Sequence, residues 1–206
     1  MWSYNQSEGQ RARTFIDEAR RKQLVAVTID TLAEVGFART SLAEIAKRAG
    51  VSKGVISYHF AGKNELIEQV IASVYTDEAS FIDDLLKQEG SAFSKLKLYL
   101  EGSVGFLVAE RKLLQALTEI FLNYRKPDGS LFYDGSSDEP MVAALEAILR
   151  KGQEDGDFCE FEPRVVALTM KSTIDTLPMH MALHPEMDME AYAEQLVALF
   201  DRATRR

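Results

Sequence analysis

Lys53, Gly54, Ser57, Tyr58 and His59 place an ammonium, a hydroxyl, a phenol and an imidazole around a glycine within seven residues, while Ile56 and Phe60 keep one side apolar. On a helix this arrangement offers its polar side to a polyanion. A lysine at the start of a recognition helix donates to guanine O6 and N7 or to a phosphate, and Gly54 lets the helix approach the major groove closely. Val55 and Ser57 stand where a thymine methyl or a polar base edge would meet them. Thr40 and Ser52 bring hydroxyls and nearby helix N-terminal amides to phosphates, and Lys63 opens the next segment within reach of the same backbone. A second chemistry is offered by His180 and His184, whose i, i+4 spacing puts two imidazoles on one helix face. No Glu follows His180 as in His-Glu-x-x-His, and Pro185 ends the segment, so a metal-dependent helical enzyme is the lesser reading. No nucleophile motif, phosphate-binding glycine loop or paired catalytic carboxylate is present, so neither an enzyme activity nor a cofactor or metal is expected.

The elements that must position the first group are legible around it. Ser41 can cap a short helix with Leu42, Ile45, Ala46 and Ala49 at helical spacing, and Gly50 suits the left-handed residue that stops it. Val51 fills the angle, and Ser52 caps a second helix that buries Ile56 and Phe60: a helix-turn-helix. Upstream, Thr14 and Asp17 read as a capping box for a helix running to Val35 and stopped by Gly36, preceded by a mobile tail. Downstream, Lys63 to about Lys87 reads as one long helix. Helical patterning continues over Ala92–Ala109, Lys112–Tyr124, Pro140–Glu154, Pro163–Leu183 and Met189–Thr204. The breaks fall at Lys126-Pro127-Asp128-Gly129, Asp134–Asp138, Asp155–Asp157 and His184-Pro185. The expected class is all-α, with about nine helices.

From Arg20 to about Val70, Glu34-Val35-Gly36-Phe37, Ile45-Ala46, Ala49-Gly50-Val51-Ser52, Tyr58-His59-Phe60 and Lys63-Asn64-Glu65-Leu66 together closely resemble the DNA-binding domain of TetR-family regulators. The run Gly54–Phe60 is also similar to the choline-responsive branch of that family. The resemblance implies a DNA-binding domain over 14–62 and a ligand-binding and dimerisation domain over 63–206. It implies a transcriptional regulator, repressor or activator, that reads a palindromic double-stranded operator as a homodimer and answers to a small-molecule inducer. Tyr58 and His59 match the family's phosphate-binding pair. The last two helices are those the family uses to dimerise through a four-helix bundle, and they carry suitable stripes: Val166, Met170, Ile174, Leu177 and Met181 on one, Met189, Tyr192, Leu196 and Phe200 on the other.

On the helices that enclose the family's cavity, the candidate lining residues are Phe106, Glu110, Leu117, Phe121, Tyr124, Met170, Thr173, Asp175, Met179 and His180, most of which serve a plain core equally well. Asp175 lies four residues from Lys171, as a surface ion pair or as the counter-ion of a cationic ligand. An aromatic, Met-rich and acidic site suits a lipophilic or quaternary amine.

With 206 residues, 46% of them apolar, the chain can bury a substantial core. No apolar run reaches membrane-spanning length and Met1–Gln10 shows no signal-peptide pattern, so a cytoplasmic protein with no membrane partner is expected. The single cysteine, Cys159, leaves no internal disulfide. The net charge of −8 conceals an uneven division: Met1–Gly62 holds nine Lys/Arg against six Asp/Glu, and the remainder fifteen against twenty-six. The basic part is the part with the helix-turn-helix, so the overall acidity is no argument against DNA binding.

Overall fold

In the computed structural model, residues 5–126, 129 and 139–206 are described, with side chains from Phe15 onward. They form ten helical segments: α1 (Asn5–Val35), α2 (Leu42–Ala49), α3 (Lys53–His59), α4 (Lys63–Leu86), α5 (Ala92–Ala109), α6 (Arg111–Asn123), α7 (Glu139–Glu154), α8 (Pro163–Asp175), α9 (Leu177–Leu183) and α10 (Met189–Thr204). The class is all-α. No helix among the described residues is long and apolar enough to cross a membrane.

Local chemistry explains most of the boundaries. Ser41, Ser52 and Ser91 cap α2, α3 and α5 by accepting a backbone N–H, as the Asp188 carboxylate does for α10. Gly50 ends α2 in the left-handed region at φ 65°, and Gly36 does the same after α1 at φ 77°, a conformation that disfavours a side chain.

Two expectations are corrected. The first helix begins at Asn5, so Thr14 is an interior residue and not its cap, and the expected tail is helical from Asn5. The segment expected as one helix over Pro163–Leu183 breaks at Thr176: Pro178 has no N–H to give the Ile174 carbonyl, so the helical ladder is interrupted there. With α8 and α9 taken as the two parts of that helix, the nine expected helices are present. The expected turn at Asp134–Asp138 and the Pro127-Asp128 part of the turn at 126–129 lie outside the described residues.

Two apolar cores hold the chain together. One gathers Leu24, Leu32, Ile45, Ile56, Phe60, Leu66 and Ile67 from α1 to α4, and is completed by Ala116, Ile120 and Tyr124. The last three belong to α6 or the residue after it, so the core around the helix-turn-helix extends well past Gly62. The other core joins α4 and α5 to α7, α8 and α10 through Ile82, Leu96, Tyr99, Leu145, Met170 and Leu196. α6 therefore lies between the two, packed along α1 on one side and against α9 on the other.

Candidate functional site

α3 presents a polar outer face because Ile56 and Phe60 occupy the core beneath it. Ser52, Lys53, Gly54, Ser57 and Tyr58 are exposed, and Val55 and His59 are partly so. Tyr58 is 75% exposed, unusual for so large a ring, and its neighbour His59 meets it edge-on at 4.9 Å between ring centroids. Arg21 of α1 steadies this helix. Its guanidinium donates to the His59 carbonyl and to Gln69 Oε1 at 3.1 Å, and lies over the Phe60 ring at 4.4 Å. Sequence reasoning missed Arg21, whose partners lie 38 and 48 residues away.

Two other candidates for DNA contact are engaged inside the protein. Thr40 is buried and its hydroxyl donates to the Gly36 carbonyl at 2.8 Å, so it closes the turn after α1 and offers no group to a phosphate. The Lys63 ammonium donates to the Phe37 carbonyl at 2.6 Å and sits over the Phe37 ring at 3.9 Å, with burial holding its pKa below the ordinary lysine value. Ser41, read in the sequence as a helix cap and not as a DNA contact, is that cap and is exposed at the N-terminus of α2.

Of the ten residues considered for ligand binding, Leu117, Phe121 and Asp175 line one inner cavity with Tyr75, Glu78 and Pro178, between α4, α6 and the break after α8. Its free volume is ≈ 20 Å³, on the scale of one water molecule. Two carboxylates, Glu78 and Asp175, stand among its mostly apolar lining. Glu78 is 7% exposed, and Lys171 and Asp175 form a buried ion pair with the ammonium 5.0 Å from the centre of the Tyr75 ring. Asp175 is thus a buried group and not half of a surface pair. Glu78 carried a readable signal: it continues the apolar positions Ile71, Val74 and Ile82 of α4, where a carboxylate is out of place.

The other seven candidates lie elsewhere. Phe106 packs on Phe81 at 5.8 Å, and Met170 is part of the second core. Tyr124 belongs to the first core, where its hydroxyl donates to Glu68 Oε1 at 2.7 Å and is pushed up in pKa by burial and by that carboxylate. Glu110 is exposed at the α5–α6 joint, Met179 and His180 are exposed on α9, and the Thr173 hydroxyl is given to the Thr169 carbonyl at 2.8 Å. Among the described residues no three His, Cys, Asp or Glu side chains gather as a metal set would, and His184 Nδ1 lies 3.4 Å from Glu186. A larger cleft of ≈ 680 Å³ opens between α1, α6 and the α9–α10 connection, lined by Ala33, Arg111, Thr118, Glu119, Met181 and Met187 among others.

The geometry so far is a helix-turn-helix with a free polar face, joined by α4 and α6 to a helical body with a charged inner cavity. Residues 24–70 match the model described as bacterial regulatory proteins, tetR family. The helix-turn-helix region is that of the TetR family. It is 47% identical over 58 residues, 28% of its length and 29% of the relative's, to the HTH-type transcriptional regulator BetI 1 of Chromohalobacter salexigens. It is 30% identical over 131 residues, 63% of its length and 61% of the relative's, to BetI of Klebsiella pneumoniae. Each match spans less than two thirds of the relative. Among solved structures, FadR of Bacillus subtilis in complex with stearoyl-CoA has the same fold, with TM-score 0.71 at 19% identity over 86% of this chain and 96% of that one. TetR-family proteins are transcriptional regulators and not enzymes.

Proposed function

We propose that this TetR-family chain is a repressor that binds a palindromic operator as a homodimer and leaves it when a small lipophilic cation enters the inner cavity and enlarges it beyond its ≈ 20 Å³. The observation that carries the DNA-binding half is the outer face of α3, where Lys53, Gly54, Ser57 and Tyr58 are exposed on a helix whose inner face is fixed by Ile56 and Phe60. Lys53 reads a base edge, Tyr58 and His59 take phosphates, and Val55 and Ser57 tune the sequence preference. Lys63, engaged with Phe37, supports the helix from behind and leaves phosphate contact to the exposed donors.

The dimer half is supported by apolar side chains that this protomer leaves in solvent on α8 to α10: Val165 at 60%, Leu168, Leu183 at 66% and Leu199 at 59% exposure. A two-fold reader needs two α3 helices about one DNA turn apart, and pairing of these faces supplies the axis. The ligand half rests on the inner cavity. Glu78 and Asp175 bring two carboxylates to its lining beside Tyr75, and the Tyr75 ring already receives a cation, the Lys171 ammonium. A ligand ammonium entering there would meet the same aromatic face and carboxylates.

Selection from random duplex DNA with the full-length protein tests the reading. Enrichment of an inverted repeat with half-sites about one turn apart is expected. A pool with no enriched palindrome would overturn it.

A further inference from the structure

We propose that Glu119 of α6 is a positioning residue for the recognition helix, acting by holding the Phe37 peptide between the two halves of the molecule. The inference rests on the operator-reading function above and adds the residue through which the ligand-binding body addresses it.

The Phe37 peptide is gripped at both ends from different elements. Glu119 Oε2 accepts its N–H at 2.7 Å, and the Lys63 ammonium donates to its carbonyl at 2.6 Å while resting on its ring. The ring also leans on Tyr124, 6.2 Å between centroids. Lys63 opens α4 only three residues after Phe60, which ends α3. A shift of Phe37 is therefore felt at once where the recognition helix joins the long helix. Room for the grip is left by Gly36: a Cβ there would stand 3.2 Å from Glu119 Oε2, and its φ of 77° already disfavours one.

The other end of the linkage is the inner cavity. Leu117 and Phe121 line it, and Glu119 lies between them in sequence but about 200° round the helix from Leu117, on the side facing α1. Thr118 donates to the Pro178 carbonyl at 3.1 Å, tying α6 to the break between α8 and α9, and Pro178 itself lines the cavity. Lys112 ties the start of α6 to α1 through Asp30 at 2.7 Å. A rotation of α6 forced from the cavity would move Leu117 and Glu119 together, because one rigid turn of helix carries both. α4 also runs from the helix-turn-helix into the cavity wall, but Glu119 adds a direct bond between α6 and the turn after α1.

The test uses the full-length protein with E119A and E119Q. Removing a negative charge from a DNA-binding protein strengthens its electrostatic attraction to DNA, so a loss of affinity in E119A is the mark of lost position. The expected result is operator binding weakened about 5- to 20-fold in E119A, with the slope of log K against log salt unchanged, since no phosphate contact is removed. The Phe37 amide should exchange with solvent faster in the same variant. E119Q, whose amide oxygen can accept the same N–H, should recover most of both properties. E119A that binds operator as tightly as the parent, or E119Q no better than E119A, would overturn the proposal. A parent protein that binds no duplex would instead sink the operator reading, while exchange at Phe37 would still report the bond to Glu119.

Discussion

Among single side chains, Lys53 and Lys63 are ten residues apart and similar in type, yet the fold gives them opposite work. Lys53 stands exposed at the start of α3. Lys53→Ala should cost about 1 to 3 kcal/mol of operator affinity and relax discrimination at one base position, read by competition binding against single-base variants of the operator. Lys63 is held on Phe37, so Lys63→Ala should lower the melting temperature and leave the salt slope of DNA binding nearly unchanged, as a salt titration would show. Lys63 could not be told from an outward-facing donor in the sequence, because what engages it is Phe37 and not its own helix, and Thr40 lies in no helix, so no period marks the side it faces. The reverse holds for Ser52, Ile56 and Phe60, whose capping and burial are decided by near neighbours and were legible.

For whole elements, the helical period gives which residues share a face but not what the face meets. Leu117 and Phe121 on α6 reach the cavity, whereas Tyr124 at its end turns into the core under the helix-turn-helix. Phe106, Met170 and Met179 satisfied the same pattern and line neither the inner cavity nor the larger cleft, while Glu78 was legible as a charge on an apolar stripe. The break at Pro178 was available from the proline alone.

Charge pairing between elements yields a pH test. Arg164 at the start of α8 meets Glu139 at 2.8 Å and Glu146 at 3.4 Å, both on α7. Arg164 holds the Glu139 carboxyl below the usual range by hydrogen bonding; at Glu146, Arg150 is the larger cause and Arg164 adds to it. Folded pKa values lower than unfolded ones mean a contribution present above about pH 4.5 that fades as pH falls through the folded values. Arg164→Ala should raise both carboxylate pKa values, Glu139 more than Glu146, in a carbon-detected NMR titration, and should shrink the acid-side decline in melting temperature.

At the scale of the molecule, the apolar residues left in solvent on α8 to α10 decide whether one chain is a complete reader. Leu168→Glu combined with Leu199→Glu should shift the protein from dimer to monomer in sedimentation at micromolar concentration and reduce operator affinity steeply, with helix content by circular dichroism preserved. A dimer that survives both substitutions would place the two-fold axis elsewhere. The class and the chain order of the helices were legible from period and punctuation. That α6 joins both cores was not, since it depends on which of two buried faces each helix finds.

The uneven charge along the chain, nine cations to six anions up to Gly62 and fifteen to twenty-six beyond it, bears on how such a protein finds one site in a chromosome. Random DNA attracts proteins almost wholly through phosphates, and an acidic body lowers the time spent on each wrong stretch. Sliding should be brief and the search dominated by repeated excursions through solution. The acidic body also acts as a rudder: in the field of the duplex it turns the basic end inward, so that encounters begin with α3 already facing the groove.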